Sequence, residues 1–372
     1  MIENAQINSA KSRVLSIDAL RGFDMFWIVG GGTIFESLDE IFKLPITGTI
    51  KRQLTHVDWE GFRFEDLIFP LFIFVVGLVL PYSLSGRLEA GHSRSRIFMQ
   101  ILKRTILLIV LGLFYWNGHS HFNPDKIRWM GVLQRIGICY FFAAILVINT
   151  KWRTQVVVAG AILLSYWLAL MFIPVPGFGA GNISPQGCLS SYIDRLLLPG
   201  KFCCYGYGEN EGILSTLPAV CTAIIGALAG QWLRSPASGN RKTIGLAVAG
   251  LISILAGYGW GQTFPVIKNI WTSSFVLVAA GWSMLLLALF YWVIDVKGLK
   301  KWAFFFIVIG TNAITIYFLS QFINFTSVAD FFIGAITDRS GQFKPLISAC
   351  GAMIAEWLFL WFLYRKKIFL KV

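Results

Sequence analysis

A histidine with Asp58, Glu60 and Asp66 nearby is the feature of this sequence best suited to chemistry. Thr55-His56-Val57-Asp58-Trp59-Glu60-Gly61 stands just before a strongly apolar run, and Asp66 follows at its start. An imidazole that titrates near neutrality serves as a general base or as a transient acyl carrier. Both roles use the neutral ring, and Asp58 or Asp66 is available to orient it. The bland alternative, a solvated interfacial histidine, is the commoner fate of a single such residue.

A second set of polar residues interrupts apolar runs. Asp18, Arg21, Asp24, Arg135 and Glu356 each lie inside or at the edge of one. An ionisable group there costs at least about 2.5–3.5 kcal/mol at a helix centre unless it is paired or hydrated, which makes it a functional candidate. Asp18 and Arg21 are three apart and share a helix face. Gln134 and Arg135 sit together, so Arg135 is expected to answer Asp18 or Asp24 from a neighbouring helix. A structural ion pair fixing helix packing competes with this reading. Asn312 lies mid-run, and Lys268-Asn269 precedes another run beside Trp271. Such amides either glue helices together or line a polar cavity. Gly30-Gly31-Gly32 lacks the Gly-Lys-Ser/Thr ending of a phosphate loop and is read as a point of close approach.

Other clusters carry less. His119 and His121 with Asp125 make too small a ligand set for a metal site, and no metal is expected. Cys188, Cys203 and Cys204 share one long loop, where a disulfide from Cys188 to either neighbour is expected if the loop faces an oxidising compartment. Cys139, Cys221 and Cys350 fall in apolar runs and are read as packing residues.

The elements that must position these groups follow from hydropathy. The chain has 372 residues, 56% of them hydrophobic, and its mean hydropathy is +0.66, which points to lipid rather than water as the main solvent. Windows long enough to cross a bilayer, roughly 20 residues each, fall at 14–35, 66–85, 97–116, 129–149, 155–173, 212–233, 243–260, 270–294, 302–322 and 345–364. The stretch 323–336 is apolar but short, and reads as re-entrant or interfacial. The expectation is an all-α polytopic membrane protein of about ten spans, one domain over residues 1–372, with long extracytoplasmic loops at 36–65 and 174–211.

Charge placement sets the orientation. With the N-terminus inside, nineteen of the 32 Lys and Arg gather on the inner side against three acids. This positive-inside bias puts both termini in the cytoplasm. The net charge of +13 is therefore a topology signal, and nucleic-acid binding is not expected. The first apolar segment carries Asp18, Arg21 and Asp24 and no cleavage site, so it reads as a retained helix rather than a signal peptide. The active face is expected on the longer outer loops.

Taken in order, several short motifs give this chain a resemblance to a known family. They are Ser16-Ile17-Asp18-Ala19-Leu20-Arg21-Gly22, the run from His56 through Trp59, Gly61 and Asp66-Leu67-Ile68-Phe69-Pro70 to Gly77, and Gly131-Val132-Leu133-Gln134-Arg135-Ile136-Gly137. Tyr192-Ile193-Asp194-Arg195, Gly212-Ile213-Leu214-Ser215-Thr216, Lys268-Asn269-Ile270-Trp271, Asp295-Val296-Lys297-Gly298, Asn312 and Tyr364-Arg365-Lys366-Lys367 continue it nearly to the end. On this hydropathy profile they resemble the heparan-α-glucosaminide N-acetyltransferase family and its bacterial relatives. The resemblance implies transfer of an acetyl group from acetyl-CoA to the amine of a terminal glucosamine across a membrane.

It further implies His56 as the active histidine, with Asp58 and Asp66 beside it. Asp18, Arg21, Gln134, Arg135, Lys268, Asn269, Trp271 and Asn312 are the expected substrate- and cofactor-binding set. The implied partners are acyl-CoA, an amino-sugar or glycan acceptor and the bilayer of a bacterial inner membrane, with a homodimer admissible. Family members carry an asparagine at the end of the first span; here the corresponding stretch is Gly30-Gly31-Gly32-Thr33, so backbone N–H groups or another side chain must take its place. An amino-sugar transporter is the alternative, with the buried charges as its pathway, though no inverted repeat supports it.

Overall fold

The computed structural model describes residues 14–118 and 123–369, and the expected windows become helices because backbone N–H and C=O groups in hydrocarbon must be satisfied within the segment. Among these residues eight helices are long and apolar enough to cross a membrane. They are Phe64–Glu89, Arg94–Asn117, Val132–Asn149, Trp152–Phe172, Ile213–Arg234, Gly239–Gly261, Ser273–Val296 and Gly341–Arg365. No strand forms among the described residues beyond two isolated bridges.

The two remaining windows are helical but interrupted. The first comprises α1 (Leu15–Phe26) and α2 (Gly32–Phe42), joined by a π-helical turn at Trp27–Gly31 in which Gly30 takes φ 139°. The ninth comprises Phe304–Thr311 and Ala313–Leu319, broken at Asn312 (φ −128°, ψ 35°). Irregular backbone at such depth is tolerated where it is buried in protein or lines a cavity. The short stretch is a separate helix, Phe325–Thr337, packed on the last one.

The periphery is apolar: Leu255, Val157, Phe172 and Phe331 are all well exposed. A belt of this kind faces lipid, and the chain is a multi-pass membrane protein. Loop contacts define two ends of the bundle. At one, Trp59 Nε1 donates to Ile183 O (2.9 Å) and Lys201 N–H to Ile127 O (3.1 Å). At the other, Leu15 and Ser16 N–H groups donate to the Asp295 carboxylate (3.3 and 3.1 Å), and Arg87 donates to Gln100 (2.9 Å). These are called below the His56 end and the Arg87 end.

α1 crosses the Phe304–Thr311 helix with almost no side chain between them. A Cβ on Gly22 would lie 1.7 Å from Phe306 O, and one on Gly310 would lie 2.1 Å from Asp18 O. That backbone-to-backbone approach brings Asp18 and Arg21 next to the break at Asn312.

Candidate active site

The His56 end owes its geometry to one glycine. Gly61 takes φ 126°, open to a residue without Cβ. The turn lets its N–H donate to Val266 O (2.8 Å), while Glu60 bridges to Ile267. The next residue along is Lys268, and the two loops, over two hundred positions apart in sequence, are thereby zipped together.

The helix Phe64–Leu78 supplies the second support. Asp66, in its first turn, accepts from the Arg63 N–H (3.0 Å) in a capping-box arrangement. Arg63 reaches back to donate to His56 O (3.0 Å) and Thr55 O (3.3 Å), clamping the backbone that carries the imidazole.

His56 Nδ1 lies 3.0 Å from Asp66 Oδ1. Lys268 Nζ lies 3.0 Å from Nδ1, 3.2 Å from Nε2 and 3.6 Å from Asp66 Oδ1. The exposures are graded: the His56 side chain is 55% exposed, Lys268 13% and Asp66 0%. A buried carboxylate thus orients an accessible imidazole, the logic of a base held by a third group. With Nδ1–H donated to Asp66, Nε2 is left with the lone pair of the ring, and the Lys268 ammonium stands 3.2 Å from it. Burial pulls the Lys268 ammonium below the usual lysine range, against the opposing pull of Asp66, Glu65 and Glu211. Asp58 is exposed in the adjoining bend, apart from this triad. Asn269 is half-buried in the turn after Lys268.

Trp271 ends the turn that begins at Lys268, its N–H donating to Lys268 O (2.9 Å). It is fully buried yet takes φ 53°, uncommon for a bulky residue. Its Nε1 donates to Thr222 Oγ1 (3.2 Å), Phe69 packs at 5.3 Å and the Arg135 guanidinium lies 4.9 Å from its ring centroid. Arg135 does not answer Asp18 or Asp24. Its place on the helical repeat turns it to the helix Ile213–Arg234, where it donates to Ser215 Oγ (2.5 Å) and Gly212 O (3.5 Å). Asp18 instead pairs with Arg21 at 3.7 Å. Gln134 faces Gly112 and Gly131 and donates weakly to Trp129 O (3.4 Å).

A second charged group braces the same end. Arg128 donates to both oxygens of Glu209 (3.0 and 2.5 Å) and to Glu211 (2.5 Å), and it stacks on Trp116 at 4.1 Å. Asp194 accepts from the Ile213 and Glu209 N–H groups (2.9 and 3.2 Å), and burial pushes its carboxyl up to about 6. Sequence reading passed over Arg128, Glu209 and Glu65. The available signal for Glu65 was its place beside Asp66 in one helix turn. The opposite charges of the other two stand 81 residues apart, with no periodicity joining them.

The cysteine expectation is corrected. The disulfide joins the adjacent Cys203 and Cys204, while Cys188 is free. Cys188 is held as the N-cap of the helix Leu189–Leu197, its Sγ accepting from Ser191 N–H (3.4 Å), which keeps it from the other two. His119 and His121 lie outside the described residues.

At the Arg87 end a cavity of about 520 Å³ is lined by Arg21, Arg87, Lys103, Arg104, Tyr140 and Asn312, among others. The Arg104 guanidinium stacks on Tyr140 at 4.5 Å, and Asn312 Nδ2 donates to Ile368 O (3.2 Å). Four cations around one cavity suit phosphate groups. Phe72 and Ile314 form part of its wall and also of a far smaller apolar space, about 20 Å³, with Met25, Ile28 and Phe69. Phe69 in turn touches Trp271.

Fold and site together define a polytopic helical membrane protein with a histidine–carboxylate–lysine centre at one end and a basic cavity at the other. The sequence profile described as heparan-alpha-glucosaminide N-acetyltransferase, catalytic, matches residues 13–259, and the chain belongs to that family. It is 29% identical over 429 aligned positions to the heparan-alpha-glucosaminide N-acetyltransferase of Homo sapiens, covering 99% of this chain and 61% of the human one. The Mus musculus counterpart is likewise 29% identical, over 426 positions, covering 98% and 61%. The chain therefore spans 61% of the length of these curated relatives. The matched profile includes His56, Asp66 and Arg135 and ends before Lys268, Trp271 and Asn312.

Proposed function

We propose that this chain is an acetyltransferase of the cytoplasmic membrane, moving an acetyl group from acetyl-CoA to the amine of a glucosamine-type acceptor. The observation that carries the reading is the contact of His56 with Asp66 and Lys268 in a member of this family. Acetyl-CoA is the donor substrate, its phosphates held by Arg21, Arg87, Lys103 and Arg104 on the cytoplasmic side. The thioester is directed along the apolar space at Phe72 and Phe69 towards Trp271.

Near His56, the acceptor nitrogen attacks the thioester carbonyl. The C–S bond breaks as the C–N bond forms, Nε2 takes the proton from the nitrogen, and the thiolate of CoA leaves and is protonated. Lys268 meets the charge developing on the carbonyl oxygen, the role that the family's missing asparagine would otherwise fill. Asp66 is a positioning residue that holds the ring and stabilises its protonated form.

The test is made in proteoliposomes with labelled acetyl-CoA and glucosamine, following N-acetylglucosamine and free thiol together. Equimolar appearance of both, lost in His56→Ala, is expected. The breaks at Gly30 and Asn312 are a feature shared with transporters. Glucosamine accumulating in vesicles without acetyl-CoA, and no amide formed, would replace this reading with transport.

A further inference from the structure

Glu356 takes no part in the site just described, yet it is among the most costly residues in the fold. It sits in the last helix, Lys344–Arg365, is 6% exposed, and its Oε2 is buried without a hydrogen-bond partner among the described residues. A carboxyl in this setting is stabilised by a ligand, a cation or a proton.

It borders a cavity of about 400 Å³ whose remaining polar wall includes Thr33, Ser320, Gln321, Asn324 and Thr326. Gly30, with its φ of 139°, forms part of the same wall, so the interruption of the first span and the unpartnered carboxyl share one space. Asn324 Oδ1 is committed to the Ser327 N–H (3.0 Å), which leaves its Nδ2 as a donor. The cavity lies towards the His56 end, because Phe322 in the same loop packs 3.4 Å from where a Cβ on Gly118 would stand, at the end of the helix Arg94–Asn117.

The chemistry of this wall is selective. One carboxylate with several hydroxyls and amides matches a primary ammonium bearing further hydrogen-bonding groups. A bare divalent ion is a poor match, since calcium takes six to eight oxygens at about 2.3–2.6 Å and the space far exceeds one ion. An anion is repelled by Glu356, and an N-acetylated amine offers no charge to it.

We propose that this cavity is a binding site for a primary ammonium ligand, with Glu356 as its counter-ion. The site goes beyond the proposed transfer reaction and does not require it. Two sources share the chemistry: an amino sugar, and the ethanolamine head group of a lipid.

The experiment measures binding to the full-length protein in detergent, without acetyl-CoA, by calorimetry and ligand-induced shift in melting temperature. The probes are glucosamine, ethanolamine and N-acetylglucosamine. Glucosamine or ethanolamine is expected to bind, the preferred one naming the source, and N-acetylglucosamine is expected not to. Glu356→Gln keeps the side-chain shape and should weaken the amine by about tenfold or more, as loss of a charge-assisted hydrogen bond does. If that variant fails to fold, Gln321→Leu on the same wall takes its place, because glucosamine in the unmodified protein also has the acceptor position near His56. Equal binding of glucosamine and N-acetylglucosamine, no binding of either amine, or an affinity unchanged in Glu356→Gln overturns the proposal. Because no transfer is measured, failure of the acetyltransferase reading leaves this result intact, and the reverse also holds.

Discussion

His56 Nδ1 and Asp66 Oδ1 stand 3.0 Å apart, one on an exposed segment and the other fully buried in the first turn of a spanning helix. The helix start fixes the carboxylate through the Arg63 N–H, and Arg63 fixes the histidine through its carbonyl. Imidazole and orienting group are therefore positioned by one structural unit. His56→Ala is expected to reduce acetyl transfer by about 10²–10⁴-fold, the usual contribution of a positioned base. Asp66→Asn should cost a similar factor by favouring the wrong tautomer, with the protein still folded. Initial rates with glucosamine, alongside melting curves, check both; an Asp66→Asn enzyme at full rate would remove Asp66 from the mechanism.

Lys268 supports a prediction in pH. Burial lowers its pKa, so the ammonium is lost at a lower pH than for an ordinary lysine. If the charged form is needed at the acyl oxygen, kcat/KM falls on its alkaline limb below the ordinary lysine range. Lys268→Arg stays protonated throughout and should move that limb to higher pH. Lys268→Met should abolish the limb and lower kcat/KM by about 10²–10³-fold, as for loss of one oxyanion donor. An alkaline limb unchanged in Lys268→Arg would assign it to another group.

The basic cavity makes a separate claim on KM. Lys103 and Arg104 line it from one helix, and Arg21 and Arg87 from two others. Removing charges that hold the donor's phosphates takes away binding shared by ground and transition states. The double variant Lys103→Ala, Arg104→Ala should therefore raise KM for acetyl-CoA by about 10–100-fold with kcat little altered. KM for the acceptor should stay unchanged. Saturation curves for each substrate separate these effects, and a change confined to the acceptor would contradict the cavity's role.

Much of the fold was legible because lipid imposes one rule on every spanning segment: its apolar run must be helical. Eight windows follow directly, and both exceptions break at residues visible in the sequence, Gly30 and Asn312. That a residue breaks a helix is a matter of local backbone; which groups then meet is not. His56 beside Asp66 was within reach, being ten residues and one helix start away. Lys268 beside His56 depends on Gly61 pairing with Val266 across 205 positions, and no spacing announces it. Arg135 was misdirected because sequence gives its helix face but not the neighbour on that face, which is Ser215 rather than Asp18. That Arg21 shares one cavity with Arg87, Lys103 and Arg104, basic residues that also set the topology, depends on how the helices converge, which no spacing announces.

The crossing of α1 with the Phe304–Thr311 helix leaves no room for a methyl group. Gly310→Ala would put a Cβ within 2.1 Å of Asp18 O, a backbone atom that no rotamer change can move. The helices must separate, at a cost of about 1–3 kcal/mol as for other overpacked positions. A lower melting temperature and a poorer yield of monodisperse protein are expected. Gly22→Ala acts on the same contact, so the double variant should lose less than the two single losses combined. Unchanged melting in Gly310→Ala would show that the helices are not in backbone contact.

The disulfide assignment is checked without any activity assay. Cys203 and Cys204 are bonded to each other, and Cys188 is a buried thiol capping its own helix. Denatured but unreduced protein should therefore alkylate at Cys188, while Cys203 and Cys204 react only after reduction. Cys188→Ser retains an oxygen able to accept from the Ser191 N–H, so it should preserve the cap and leave the disulfide intact. Cys203→Ser has a wider reach. The Cys203 N–H donates to Glu209 (3.2 Å), and Glu209 holds Arg128, so freeing this loop should loosen the buried charge group next to the site. Faster cleavage of the 201–208 segment by added protease would register that loosening. A linked peptide containing Cys188 in the unreduced digest would overturn the assignment.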